Sequence, residues 1–434
     1  MLKNKIRSWN RYPLVSHAHV LDIGDRYTLL PSSELNMLPY GNGRSYGDVC
    51  LNEGGTLLRT RQLDQFIAFD RATGRLVCES GTQLKDILDL VVPQGWFLAV
   101  SPGTRFVTVG GAIANDVHGK NHHVQGSFCH HVHKFELLRS DGVRILCGPD
   151  ENVDWFHATV GGLGLTGLIT WAELQLMPVA NPFMLTETKR FKSLDSFWTL
   201  NAEAESRWPY TVAWIDCVAT GRREGRGIYV LGRHSPMQDG LPAWKENLRR
   251  FPLDPPFSLV NRISLRAFNT MYYHRPLQQG VGLSHFVPYF YPLDGMLEWN
   301  RMYGRKGFFQ YQCVLPPEAS LEGIRDLLRI IARSGAGSFL AVLKTFGSKP
   351  SLGMLSFPRT GATLALDFAN QGERTLRLFR DLDAVVHGAG GALYPAKDAR
   401  MSGDMFRSGY PAWENFSKFI DPQFSSSFWR RVME

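Results

Sequence analysis

The sequence predicts an α+β protein of two lobes, and three observations carry that expectation. At 434 residues the chain is too long for one ordinary hydrophobic core. Strand-like alternation and helix-period patterns are interspersed along its length. The texture also changes near Pro178, from short apolar runs punctuated by glycine to strands rich in aromatic residues.

In the first part, residues 83–92 read as a helix. Leu84, Ile87, Leu88 and Val91 fall on one face, Thr82 is placed to cap it, and Pro93 ends it. Residues 168–176 (LITWAELQL) alternate as a half-buried strand, closed by Met177 and Pro178. In the second part, residues 210–215 and 307–314 read as strands, and residues 321–332 and 375–386 as amphipathic helices. The proline-rich residues 251–257 (FPLDPPF), with the aromatics around Tyr272 and Tyr273, read as a long loop region.

Lys and Arg exceed Asp and Glu by 48 to 40, a net charge of +8 that favours anionic partners such as phosphates or an acidic membrane surface. No basic cluster is interleaved with aromatics, so nucleic acid is not expected as a partner. The six cysteines (Cys50, Cys78, Cys129, Cys147, Cys217, Cys313) show no CxxC pair and read as reduced thiols. Residues 1–20 contain no apolar core of a secretory signal, and no apolar run reaches spanning length. The expected location is cytoplasmic, at most peripheral at the inner face of a membrane.

Two segments carry chemistry. Gly41-Asn42-Gly43-Arg44-Ser45-Tyr46-Gly47-Asp48 has glycines spaced so that backbone N–H groups can converge on an anion; a glycine-rich hairpin explains it equally well. From Ser101 to Asn121, small residues run together, and Gly110 and Gly111 sit at a plausible helix start, an environment suited to phosphate. Six histidines (His118, His122, His123, His130, His131, His133) follow closely, without the carboxylate or cysteine partners of a zinc helix, so no metal is expected. Gly162, Gly164 and Gly167 match a dinucleotide fingerprint, with Glu187 at the spacing of its ribose carboxylate. A strand pattern follows where that fingerprint needs a helix, which excludes a Rossmann site.

GNGRSYGD, PGTRFVTVGGAIANDVHGKNHH, GSFCHHV and ATVGGLGLTGLI together resemble the FAD-binding domain of the vanillyl-alcohol-oxidase superfamily, and within it the decaprenylphosphoryl-β-D-ribose oxidase family. EWNRMYG, FFQYQCVLP, SFLAVLKTFG, LSFP and LYPAKDAR follow in that family's order, so the likeness covers nearly the whole chain. The resemblance implies a vanillyl-alcohol-oxidase-type fold. An FAD-binding domain is made of residues 1–178 and a returning tail, 392–434. An α+β substrate domain built on an antiparallel sheet, 179–391, is inserted between them.

The resemblance also assigns the site. FAD is expected against Gly41, Asn42, Gly43, Arg44, Ser45 and Tyr46, then Pro102, Gly103, Thr104, Thr108, Gly110, Gly111 and Ala112. Asn115, His118, Gly119, Asn121, His122, Gly126, Gly167, Ile169 and Tyr394 complete its lining. Many superfamily members attach flavin to a His where this chain has Arg44, which cannot form that bond, so non-covalent FAD is expected.

Oxidation of a secondary alcohol through flavin needs a proton acceptor within hydrogen-bond reach of the hydroxyl. By resemblance Lys397 is that group, with His118 beside it, and Lys344, Gln310, Gln312 and Lys120 position sugar and phosphate. The implied reaction converts a polyprenyl-phosphate-linked pentose, the β-D-ribose form, to its 2-keto sugar. An NADH-dependent short-chain reductase then completes epimerisation to arabinose for envelope glycans. A soluble alditol or aldonolactone oxidase, and a flavin-binding subunit without catalysis, are the alternatives. Two departures stand out: Phe290 precedes Tyr291-Pro292-Leu293-Asp294 where the family often has Tyr, and Ala365 aligns with the cysteine that nitroaromatic inhibitors modify in mycobacterial members.

Overall fold

The computed structural model describes residues 6–32 and 34–434. Residues 1–5 of the stretch read for a secretory signal lie outside the described residues.

Three sheets position the central cavity. His19–Asp22 and Met37–Tyr40 flank Thr56–Arg59 in a small parallel sheet. Phe66–Asp70, Arg75–Glu79, Leu168–Pro178, Val132–Leu138 and Arg144–Cys147 follow one another in an antiparallel sheet, with Trp96–Leu98 also on Leu168–Pro178. The strand read as half-buried is therefore central, and the helix Val109–Ala114 packs on it, so most of its side chains are buried on both faces.

The third sheet is antiparallel and eight-stranded: Val281–His285, Phe183–Phe191, Gly227–His234, Tyr210–Ile215, Ala341–Phe346, Gly361–Ala369, Phe308–Leu315 and Ala392–Leu393. Period-two alternation sorts its two faces. Along Phe308–Leu315, Tyr311 turns to the helix side, where its ring meets Phe379 at 5.2 Å, while Gln310 and Gln312 turn to the cavity. The helices Pro317–Ser334 and Glu373–Gly388 cover the far face with Ile324, Leu327, Leu328, Ile331, Leu378, Phe379, Leu382 and Val386. Each such side chain contributes about 1.5–3 kcal/mol when fully buried, which is what pins the sheet's orientation.

The C-terminal tail returns to the N-terminal residues. Ser425 N–H donates to Met37 O (3.0 Å), Met37 N–H to Gln423 O (2.6 Å) and Ser427 N–H to Leu51 O (2.8 Å). Ala392–Leu393 still pairs with Phe308–Leu315, so the chain leaves the large sheet just past the expected boundary at residue 391.

Two local expectations are corrected. The first helix is Leu84–Val91 and its N-cap is Gln83, because a bridge to Thr108 holds Gln83 extended and the Thr82 carbonyl accepts Val109 N–H (2.9 Å) there rather than a helical N–H. Tyr272 and Tyr273 lie not in a loop but on a helix, Arg262–His274, whose N-cap Asn261 accepts from Ile263 N–H (3.0 Å) and Ser264 N–H (3.1 Å).

Candidate active site

A cavity of about 620 Å³ lies between the glycine-rich loops of the first part and the eight-stranded sheet. Its loop wall is mainly backbone. Asn42 anchors residues 41–45 by donating to Phe106 O (2.7 Å) and Gln83 Oε1 (3.1 Å). The Arg44 guanidinium lies over the Trp9 ring (4.1 Å) and faces Phe106 (5.1 Å). The N–H groups of Asn42, Gly43, Arg44 and Ser45 find no acceptor among the described residues.

Thr108 caps the helix Val109–Ala114 by accepting from Gly111 N–H (3.2 Å). A Cβ at Gly41 would sit 2.4 Å from Thr108 Oγ1, so only glycine lets this loop close on that helix. Ser80 Oγ and Asn115 Oδ1 are buried without a partner beside the cavity. These amides and oxygens, without a partner among the described residues, give the wall donors and acceptors to offer a polar ligand.

The opposite wall is built of side chains. Lys344 Nζ lies 2.7 Å from His118 Nδ1 and donates to Gly119 O (2.8 Å). The Gln312 side-chain amide nitrogen, a donor, faces His118 Nε2 at 3.1 Å, so nitrogen groups meet the ring at both positions and the neutral imidazole accepts at one of them. Lys120 Nζ donates to Tyr289 O (2.6 Å) and Phe290 O (3.0 Å), and Lys397 Nζ lies 3.9 Å above the Tyr46 ring. Burial dominates their ionisation. It lowers Lys120 to about 7, Lys344 to about 7 with help from Lys120 and Lys397, and Lys397 to about 8 against the opposing charge of Asp367. Burial, then Lys344, His122 and Lys397, hold His118 well below its usual range.

Most of the expected site residues meet here. Gly41, Asn42, Gly43, Arg44, Ser45, Tyr46, Pro102, Gly103, Thr104, Thr108, Gly110, Gly111, Asn115, His118, Gly119, Gly167, Ile169 and Tyr394 line the cavity, as do Lys120, Gln310, Gln312, Lys344 and Lys397. Four do not reach it. Ala112 faces the apolar core, Asn121 turns away to donate to Ala99 O (2.8 Å), His122 packs on Phe346 (4.6 Å), and Gly126 makes a turn at φ +75° beside His130. Among the described residues no three His, Cys, Asp or Glu side chains come together as a metal site. His123, His130 and His131 each bond a backbone carbonyl instead.

Phe290 packs against Phe97 and Tyr210, while the neighbouring Tyr291 hydroxyl bonds Ser101. Sequence reading missed Asp367. Its Oδ1 accepts from Gln310 (2.7 Å), and burial raises its pKa to about 7 despite Lys397 and Gln310. A carboxylate inside the otherwise apolar run TLALDF was the available signal.

Known proteins decide the family. Residues 14–148 match the model of an FAD binding domain. Decaprenylphosphoryl-beta-D-ribose oxidase of Mycolicibacterium smegmatis is 35% identical over 410 residues, 90% of this chain and 88% of that protein. The chain belongs to the decaprenylphosphoryl-β-D-ribose oxidase family. It is an FAD-dependent oxidoreductase of vanillyl-alcohol-oxidase type. An uncharacterized protein of Streptomyces coelicolor is 34% identical over 80% of this chain and 99% of its own length. Human Delta(24)-sterol reductase is 35% identical, but over only 20% of this chain and 17% of its own. The loop wall fits FAD: its unfilled amides suit a diphosphate, and the Gly41 approach to Thr108 leaves no room for a side chain.

Proposed function

We propose that this chain oxidises the 2'-hydroxyl of a polyprenylphosphoryl-β-D-ribose to the 2-keto sugar, the first half of an epimerisation to the arabinose donor. One observation carries the reading: three lysines and a histidine gather on the sheet side of a cavity whose other side is glycine-rich backbone. Two ammonium groups, those of Lys344 and Lys120, suit a phosphodiester, and a neutral Lys397 suits an alcohol.

FAD, bound without a covalent link against Arg44 and the glycine loops, supplies the hydride acceptor. Lys397 accepts the hydroxyl proton, since its ammonium loses a proton near pH 8. Asp367, held by Gln310, keeps charge near Lys397 balanced as that proton arrives. Lys344 and Lys120 take up protons as the phosphate enters, because its negative charge favours their cationic forms. His118 and Gln312 orient the sugar from the same wall. The segments 1–178 and 392–434 hold the cofactor, and 179–391 hold the substrate. The keto sugar then needs hydride returned to the opposite face, the work of an NADH-dependent short-chain reductase.

The test is the position of oxidation. Turnover of polyprenylphosphoryl ribose with an artificial electron acceptor, followed by borodeuteride trapping, should place deuterium at C2'. Label at another carbon, or oxidation of free alditols or aldonolactones alone, would refute the assignment.

A further inference from the structure

We propose that the stretch from Leu253 to Met271 docks on an anionic lipid bilayer and turns the mouth of the cavity toward it. The proposal rests on the reading of the substrate as lipid-linked.

Isolated exposed apolar side chains are ordinary, but this stretch concentrates them. Leu253 is 68% exposed, Phe257 70%, Leu259 42%, Ile263 82% and Met271 66%. On the helix Arg262–His274, Leu265, Asn269 and Tyr273 are buried inward. Ile263, Ala267 and Met271, spaced four apart, therefore share the outward face, with Arg262 and Arg266 on its flank. A short helix with an apolar outer stripe and arginine flanks has the pattern of one that lies in a bilayer interface.

Charge points the same way. Around the apolar residues stand Lys245, Arg249, Arg250, Arg262, Arg266 and Arg275, against only Glu246 and Asp254 between residues 244 and 285. Both acids are already engaged, Glu246 with Arg105 and Asp254 with Arg11 and Arg301. Arg249, Arg262 and Arg266 have no acidic partner among the described residues, so their charge is available to anionic headgroups.

The stretch also adjoins the cavity. Tyr272 and Arg275, at the end of the helix, line it, as does Trp299, which clusters with Val260 and Leu265. A lipid-linked sugar could then enter without its chain crossing water. No helix among the described residues is long and apolar enough to cross a membrane.

The test uses the FAD-loaded enzyme and co-sedimentation with phosphatidylcholine vesicles, with and without phosphatidylglycerol. The wild-type protein should bind only the anionic vesicles and release as salt rises. The double variant Phe257→Asp, Ile263→Asp should weaken binding by at least about tenfold. Arg262→Gln and Arg266→Gln should each weaken it about fivefold. All variants should keep wild-type flavin absorbance, melting temperature and turnover of detergent-dispersed substrate. Wild-type protein that ignores anionic vesicles, or a double variant that binds them undiminished, overturns the proposal. So does a dimer abolished by Ile263→Asp in a protein without vesicle affinity, which would make the patch a self-association surface. Vesicle binding by a protein that leaves lipid-linked ribose unoxidised supports the docking surface and overturns the substrate reading alone.

Discussion

On one side of the cavity the lining is main chain from closely spaced segments, residues 41–46 and 102–111. On the other it is side chains brought from strands far apart in sequence: Gln310 and Gln312, Lys344, Ala365, and Lys397 just beyond the sheet. The two walls are vulnerable in different ways. A backbone wall fails sterically, when an added Cβ blocks the close approach it depends on. A side-chain wall fails chemically, when a proton or a charge is removed while the shape survives. Substitutions that separate cofactor retention from turnover therefore test whether the division is real.

The largest effect is expected at Lys397. Lys397→Met should lower kcat by about 10²–10⁴-fold, the usual worth of a general base, with flavin content of the desalted protein unchanged. A colourless variant would place Lys397 on the cofactor side instead. On the other wall, Gly41→Ala forces Thr108 aside, a strain of about 1–3 kcal/mol. Apoprotein titrated with FAD should bind about five- to 150-fold more weakly, while kcat at saturating FAD changes little.

Lys344→Met removes a charged donor worth about 1.5–3 kcal/mol and should raise KM by about ten- to 150-fold, more than it lowers kcat. The pH profile sharpens the same wall. The neutral form of Lys397 grows as pH rises, so kcat should climb by up to about tenfold per pH unit and flatten above about 8. Lys397→Met should erase that limb. The smallest effect on turnover is expected at Ala365, whose methyl faces the cavity. Ala365→Cys should leave kcat within about twofold. Intact-mass measurement should find no nitroaromatic adduct on the wild-type chain and one on the variant.

The same division explains what could be read from the chain alone. Gly110, Gly111 and the strand Leu168–Pro178 were legible because their signals are local: small residues at a helix start, and alternation ended by proline. The loop at Gly41 was ambiguous until its approach to Thr108 was seen, since a glycine-rich hairpin has the same composition. The cap of the first helix was misplaced by one residue because a tertiary bridge claims the Thr82 carbonyl. The helix Arg262–His274 was missed behind a proline-rich stretch, although Asn261 and Ser264 form the capping pair that marks its start. Lys344 and Lys397 carry no local signature and were found by resemblance. Asp367 was missed because its meaning depends on Gln310 and Lys397, which only the folded sheet brings near.

The most direct test of the account is anaerobic mixing of the purified flavoprotein with polyprenylphosphoryl ribose. The flavin absorbance should bleach with that substrate and persist with free pentitols or lactones. A protein that stays yellow with the lipid-linked ribose, or that is colourless and refuses added FAD, would contradict it.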